Sequence, residues 1–307
     1  MRAFIFPGQG SQAVGMGQAL AEACAEARAV LEEVDDALGQ RLSRLMAEGP
    51  PDALTLTENA QPAIMANAIA TLRASGIDLA AKADFVAGHS LGEYSALCAA
   101  GAFDLATTAR LLKRRGQAMQ AAVPVGEGAM AALLGADLAI AQAVADAAAQ
   151  GEVCSVANDN DPSQVVISGH RGAVERALDI AKEKGAKRAI LLPVSAPFHC
   201  SLMQPAAEAM AEALAVAAIA APAVPVYANF AAAPAEYPDE LRQLLVAQVT
   251  GMVRWRESVV AMFDAGVTQF VEFGAKVLGP MVKRIAPDAT VTSVVTPEDI
   301  DALVKEI

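Results

Sequence analysis

Short apolar runs alternate with longer helix-forming stretches along this chain, and the alternation is itself a fold signal. Arg2-Ala3-Phe4-Ile5 reads as a first strand. Helix-forming sequence with little turn chemistry follows from Gly17 to Leu38. It returns from Gln61 to Ser75, ahead of a second strand, Asp84-Phe85-Val86-Ala87-Gly88. Ser90 to Ala100 is helical and closed by Gly101, and a long helix runs from Asp104 to about Ala122, ending near Pro124. Helices of about ten residues between short apolar strands predict an α/β architecture.

At Gly126 the pattern changes. Strand Ala129–Leu134, helix Asp137–Gln150, strand Val153–Ala157, strand Gln164–Ser168, helix Ala173–Lys184 and strand Arg188–Leu192 follow in order. That is βαββαβ, the split βαβ arrangement of a ferredoxin-like unit, inserted in the larger body. Asn158-Asp159-Asn160-Asp161-Pro162 and Gly185 are read as its turns. After Pro193 the earlier style resumes: helix Ser201–Ala217, strand Val224–Ala228, helices Pro238–Val249 and Arg254–Ala265, strand Gln269–Phe273 and helix Val277–Ile285. No tandem repeat interrupts this order.

Composition narrows the function classes. The 307 residues are 54% apolar, enough for one large or two smaller domains with a substantial core. Much of that is alanine, and no segment joins about 18 strongly apolar residues without charge or proline. The few apolar residues before Pro7 fall short of a signal peptide's apolar stretch, so the expectation is a cytoplasmic protein with no membrane association. Cys24, Cys98, Cys154 and Cys200 form no C-x-x-C pair, against both a disulfide scaffold and a zinc cluster, and are expected to be mostly buried thiols. A net charge of −12 disfavours nucleic acid as a partner. An anionic substrate must therefore meet a local basic site.

The candidate chemistry begins at Gly88-His89-Ser90-Leu91-Gly92, a G-x-S-x-G sequence between a strand and a helix. There a sharp turn pushes a serine hydroxyl out of the sheet. The plainer alternative is Ser90 as a helix N-cap. A serine nucleophile needs a base, and only three histidines exist. His89 adjoins Ser90, where neighbouring side chains diverge, and reads as a packing or hydrogen-bonding residue under the turn. His170 ends a strand of the inserted unit, where a solvated or capping histidine is the commoner outcome. His199, at the return into the larger body, lies on a natural cleft edge and is the favoured base. An oxyanion would be met by the Leu91 N–H and by a second donor from a glycine-flanked loop. Gly8-Gln9-Gly10 fits, with the Gln9 N–H as that donor. The spacing of Gly8, Gly10 and Ala13 also matches a dinucleotide cradle. That reading is disfavoured, because the acidic residues at the required distance, Glu32 and Glu33, lie in a helical run.

These segments recur together. With Gly8-Gln9-Gly10-Ser11-Gln12, Gln61-Pro62-Ala63, Gly88-His89-Ser90-Leu91-Gly92-Glu93, Arg115-Gly116, Gln164 to Gly169, Pro197-Phe198-His199, and Gln248 with Val253-Arg254-Trp255, the chain closely resembles the malonyl-CoA:acyl-carrier-protein transacylases over nearly its whole length. The resemblance implies a hydrolase-like large α/β subdomain, 1–124 and 196–307, with a ferredoxin-like small subdomain, 125–195, and the site in the cleft between them. It implies Ser90 as the acylated residue, His199 as its base, and Gln9 and Leu91 as oxyanion donors. It further implies that Arg115 holds the substrate's free carboxylate, that Phe198 contributes to malonyl selectivity, and that Gln248 orients His199 through its backbone carbonyl. For Arg115 the plain reading is one of three basic residues, Lys113 to Arg115, on a solvated helix face; for Phe198 it is cleft packing.

The implied activity is malonyl transfer from malonyl-CoA to the phosphopantetheine thiol of acyl carrier protein, for fatty acid biosynthesis. It needs no cofactor and no metal, malonyl-CoA being a substrate, and the protein is expected to be a monomer. Lys113, Lys187, Arg188, Lys283 and Arg284 are candidate contacts for an acidic carrier. The acyltransferase of a polyketide or malonate-decarboxylase system, a serine thioesterase and a non-catalytic docking subunit are the alternatives. Three departures from the family pattern stand out: Met252 replaces a proline before Val253; the turn Glu272 to Leu278 is one residue short; and Asn158 to Asp161 is acidic enough to weaken contact with an anionic thioester arm.

Overall fold

The computed structural model describes residues 1–307. Ten strands form two sheets: β1 (Arg2–Phe6), β2 (Phe85–Gly88), β3 (Gly128–Leu134), β4 (Cys154–Asp161), β5 (Gln164–His170), β6 (Arg188–Leu191), β7 (Val226–Ala228), β8 (Ala233–Ala235), β9 (Gln269–Phe273) and β10 (Thr290–Val294). The larger sheet has the order β10-β9-β1-β2-β7-β8 and is parallel except at its β8 edge. Its central strand explains its own composition. Ala3 to Phe6 have no exposed surface, as a parallel strand covered on both faces requires. Phe4 and Phe6 point to one side, beside Phe273, and Ala3 and Ile5 to the other, into a cluster with Trp255 and Phe270.

The second sheet, β4-β5-β3-β6, is antiparallel. With helices Leu138–Ala149 and Arg171–Glu183 on one face it is a ferredoxin-like βαββαβ unit inserted in the α/β body. The period of two along β3 sorts its residues. Ala129, Ala131 and Leu133 pack under the unit's own helices, whereas Met130 and Ala132 join the core of the larger body.

The acidic stretch Asn158 to Asp161 corrects the sequence reading. It is not a turn but the buried end of β4, and Asp159 and Asp161 have no exposed surface. Partners far along the chain make this possible: Arg256 pairs with Asp159 at 2.8 Å and Arg284 with Asp161 at 2.8 Å. Main-chain bonds from Asp159 N to Val253 O and from Val253 N to Ala157 O, both 2.9 Å, join the same strand to the larger body. The charge thus meets guanidinium groups, not a substrate arm. Arg284 is correspondingly engaged, as is Lys113, which bonds Glu58 at 3.0 Å.

Elsewhere the differences are local. Gly17 to Leu38 is two helices, Gln18–Ala23 and Ala25–Leu38, broken at an extended Cys24. No breaker residue marks this. The open carbonyls are met by Cys24 N on Leu20 O at 2.8 Å and by the Arg28 side chain on Ala21 O at 3.1 Å. The segment from Ser201 begins as a 3₁₀ turn before helix Gln204–Val216. Short helices Leu42–Glu48, Pro51–Thr55 and Leu79–Lys82, the β8 and β10 strands and helix Pro297–Glu306 add to the elements read from sequence. The shortened Glu272 turn is held from one side chain, because buried Glu272 accepts the N–H groups of Val277, Leu278 and Gly279 at 2.8, 2.8 and 2.9 Å and caps helix Leu278–Ile285. No helix is long and apolar enough to cross a membrane.

Candidate active site

The β1 and β2 strands end side by side, with Phe6 opposite Gly88, and each runs into a glycine-bounded loop at its carboxyl end, where ligands of open parallel sheets bind. The β2 exit is a tight elbow. A Cβ on Gly88 would lie 1.9 Å from the Gly92 carbonyl, and one on Gly92 would lie 2.3 Å from Phe6 O, so only glycine permits both approaches. Between them Ser90 has φ of 53°, a left-handed conformation that L-residues adopt at a cost. Ser90 is not the N-cap of helix Gly92–Ala99, which has no side-chain cap.

Its hydroxyl instead meets His199. Ser90 Oγ lies 2.7 Å from His199 Nε2, and His199 Nδ1 lies 2.9 Å from the main-chain oxygen of Gln248. A carbonyl only accepts, so Nδ1 carries the ring proton and Nε2 presents its lone pair to the serine. Burial, reinforced by the positive charge of Arg115, pushes the His199 pKa down to about 3, leaving the ring neutral. His199 too has a left-handed backbone, φ 58°. The other histidines are elsewhere engaged: His89 Nε2 bonds Asn160 Oδ1 at 2.8 Å, and His170 Nδ1 accepts from Val153 N at 2.9 Å.

Arg115, from helix Leu105–Ala121, is 1% exposed, which overturns the solvated-face reading. It donates to Gln61 Oε1 at 2.8 Å, to Gln248 Oε1 at 2.9 Å and to Ser90 Oγ at 3.2 Å. Its Nε has no partner, and its other contacts are amide and hydroxyl oxygens with no carboxylate among them. The guanidinium is therefore a buried cation served by amides, a tyrosine face 5.7 Å away and the serine hydroxyl.

The β1 exit supplies the facing wall. A Cβ on Gly8 would lie 2.7 Å from His89 O, so the loop rests directly on the elbow, and Ser11 Oγ and Gln12 Oε1 bond back to Gly8 O and Gly10 N, both at 2.8 Å. The next helix starts only at Gln18, so no helix N-terminus lies at these glycines as a dinucleotide cradle requires. The peptide N–H groups of Gln9 and Leu91 have no acceptor within the protein. A cleft of about 270 Å³ brings together Gln9, Ser90, Arg115, Phe198 and His199, and its opposite wall includes Met130, Asn158 and Leu192 from the inserted unit. No group of three or more His, Cys, Asp or Glu side chains converges as metal ligands.

Two contributors lay outside the sequence reading of the site. Asn229, just beyond β7, accepts the Ser90 N–H on Oδ1 at 2.7 Å and donates to Gly88 O at 2.7 Å. Glu93, known only as the last residue of the serine segment, is wholly buried beneath it. Burial pushes its pKa up to about 7. Its two bonds, from Asn229 N and Gln248 Nε2, both fall on Oε2, so a proton on the unpartnered Oε1 leaves them intact. The Met252 departure is accommodated as well. Main-chain bonds pass on either side of it, from Gly251 N to Ala247 O at 3.0 Å and from Val253 N to Ala157 O at 2.9 Å, and its side chain packs against the inserted unit.

This arrangement can be set beside known proteins. The acyl transferase domain family matches residues 3–283. The malonyl CoA-acyl carrier protein transacylase of Bacillus subtilis is 44% identical over 99% of this chain and 96% of its own length. The structure of an acyl-carrier-protein-S-malonyltransferase from Bartonella henselae superposes with a TM-score of 0.97 at 52% identity, covering 99% of this chain and 98% of that one. A malonyl-transacylase in complex with its type II PKS acyl-carrier protein gives 0.95 at 38% identity, covering 100% and 99%. By family match, identity and full-length superposition, the chain belongs to the acyl transferase domain family, among the malonyl CoA-acyl carrier protein transacylases.

Proposed function

We propose that this protein moves a malonyl group from malonyl-CoA to the phosphopantetheine thiol of acyl carrier protein through a malonyl ester on Ser90, for fatty acid biosynthesis. The observation that carries the reading is the buried Arg115 guanidinium 3.2 Å from the Ser90 hydroxyl. A cation with no carboxylate of its own, beside a nucleophile, suits an acyl group that ends in a carboxylate. In the first half-reaction His199 takes the Ser90 proton as Oγ attacks the thioester carbonyl. The oxyanion is met by the N–H groups of Gln9 and Leu91. Collapse expels the CoA thiolate, to which His199 returns the proton. The carrier's thiol then repeats the sequence in reverse, with His199 as its base. Gln248 O holds the imidazole in the required tautomer and steadies the imidazolium, and Phe198 narrows the acyl pocket.

This reading places the cleft between a large subdomain, 1–124 and 196–307, and a small one, 125–195. It treats malonyl-CoA as substrate, requires no cofactor or metal, and assigns the protein to the cytoplasm as a monomer with no nucleic-acid or membrane partner. Steady-state kinetics test it. Varying malonyl-CoA at several concentrations of holo carrier protein yields parallel double-reciprocal lines if an acyl-enzyme intervenes; converging lines overturn it.

The depressed His199 pKa adds a pH prediction. The rate of Ser90 loading stays level from pH 8 to about pH 5, with the acid limb near 3 and not at the ordinary imidazole value of 6.5. The same shift bears on stability. Between about 6.5 and 3 the unfolded chain binds a proton that folded His199 refuses, so this stabilising contribution is full above the upper value and is lost as pH falls toward the lower. Rapid-quench loading across this range reads the effect, and an inflection at 6.5 contradicts the assignment.

A further inference from the structure

The Gln248 side chain stands at the centre of the site with its amide fixed in one sense. Its Nε2 donates to Ser90 O at 3.0 Å and to Glu93 Oε2 at 2.9 Å, while its Oε1 accepts from Arg115 Nη2 at 2.9 Å. Its main-chain oxygen accepts from His199. One residue therefore touches the nucleophile's peptide, the base and the cation. The opposite amide orientation would point an NH₂ group at the guanidinium and an oxygen at two acceptors. The Arg115 cation and Ser90 O both favour the observed sense, but neither ties the amide to the elbow's far side. Glu93 supplies that tie, because its Oε2 accepts from Gln248 Nε2 and from Asn229 N, both at 2.9 Å. Asn229 in turn holds both sides of the elbow, at Ser90 N and Gly88 O.

We infer that Glu93 is a positioning residue for acyl selectivity: by locking the Gln248 amide and the Asn229 backbone, it aims Arg115 at the acyl group on Ser90 and keeps His199 in line. The inference rests on the reading of Arg115 as the malonyl carboxylate anchor. Glu93 touches no reacting atom, and its effect passes through Gln248 and Arg115. Losing it therefore impairs malonyl loading more than acetyl loading, whereas a residue that merely packs the core would depress both alike.

The test compares wild type with Glu93→Ala, Glu93→Asp and Glu93→Gln, each checked for folding by circular dichroism, in single-turnover loading from malonyl-CoA and acetyl-CoA. In Glu93→Ala the malonyl rate constant falls about 10- to 100-fold and the malonyl-to-acetyl ratio about 10-fold, the scale of a misaimed catalytic group. Glu93→Gln restores the ratio, because its oxygen can accept both bonds while its NH₂ takes the place of the unpartnered Oε1. Where Glu93→Ala does not fold, Glu93→Asp, with its acceptor drawn back by one methylene, carries the same prediction. A ratio unchanged in folded Glu93→Ala or Glu93→Asp, or a Glu93→Gln as defective as Glu93→Asp, overturns the inference alone. Wild type without malonyl preference overturns the reading of Arg115 first, and this inference with it.

Discussion

Replacing Ser90 by alanine eliminates the acyl-enzyme and lowers malonyl transfer by on the order of 10⁴- to 10⁶-fold, the range expected when a covalent nucleophile is removed. His199→Ala is expected to fall in the same range. The serine hydroxyl and imidazole are joined at 2.7 Å and neither does its work alone: without His199 the attacking oxygen keeps its proton, and without Ser90 the imidazole has nothing to activate. The double variant is accordingly no slower than the worse single one. The activity that remains is expected to come from binding and from the proposed oxyanion donors, the Gln9 and Leu91 N–H groups, which both substitutions leave in place. Initial rates of the three variants, each confirmed folded, check this. Additive losses contradict the pairing.

Arg115→Ala produces the second large effect, and its signature is selectivity. Charge-assisted hydrogen bonds to a carboxylate contribute roughly 1.5–3 kcal/mol, so malonyl loading is expected to fall about 10- to 150-fold further than acetyl loading. The burial of the side chain adds to the discrimination. Its cation is held by Gln61 and Gln248 oxygens and by Ser90 Oγ, and an acetyl group leaves it without a carboxylate in contact. Arg115→Lys is a poor substitute, because an ammonium cannot reproduce the planar fork that spans these acceptors. Parallel loading assays with the two thioesters decide the matter, and equal losses for both remove the carboxylate role.

What could be read in the sequence follows from what is local. The elbow is legible at Gly88 to Gly92 because a steric demand satisfied only by glycine leaves its mark on adjacent positions. Strand β1 is legible because burial on both faces selects an unbroken apolar run. The unit from β3 to β6 is legible because its strand and helix periods alternate cleanly. Arg115 is not legible from local pattern, since Lys113-Arg114-Arg115 looks like a solvated face until helix Thr57–Ala74 brings Gln61 across it. Asn158 to Asp161 has turn composition, and only Arg256 and Arg284, far along the chain, let it lie buried in a strand. Glu93 and Asn229 are illegible for the same reason. A buried carboxyl and a buried amide are defined by partners that no window of neighbouring residues contains.

The most direct test of malonyl transfer through Ser90 is intact-protein mass spectrometry after addition of malonyl-CoA alone, followed by holo carrier protein. The account predicts a single malonyl adduct, mapped to Ser90, that persists in the absence of acceptor and disappears as the carrier gains the same mass. Rapid release of free malonate without carrier, or the absence of any adduct on Ser90, would contradict it.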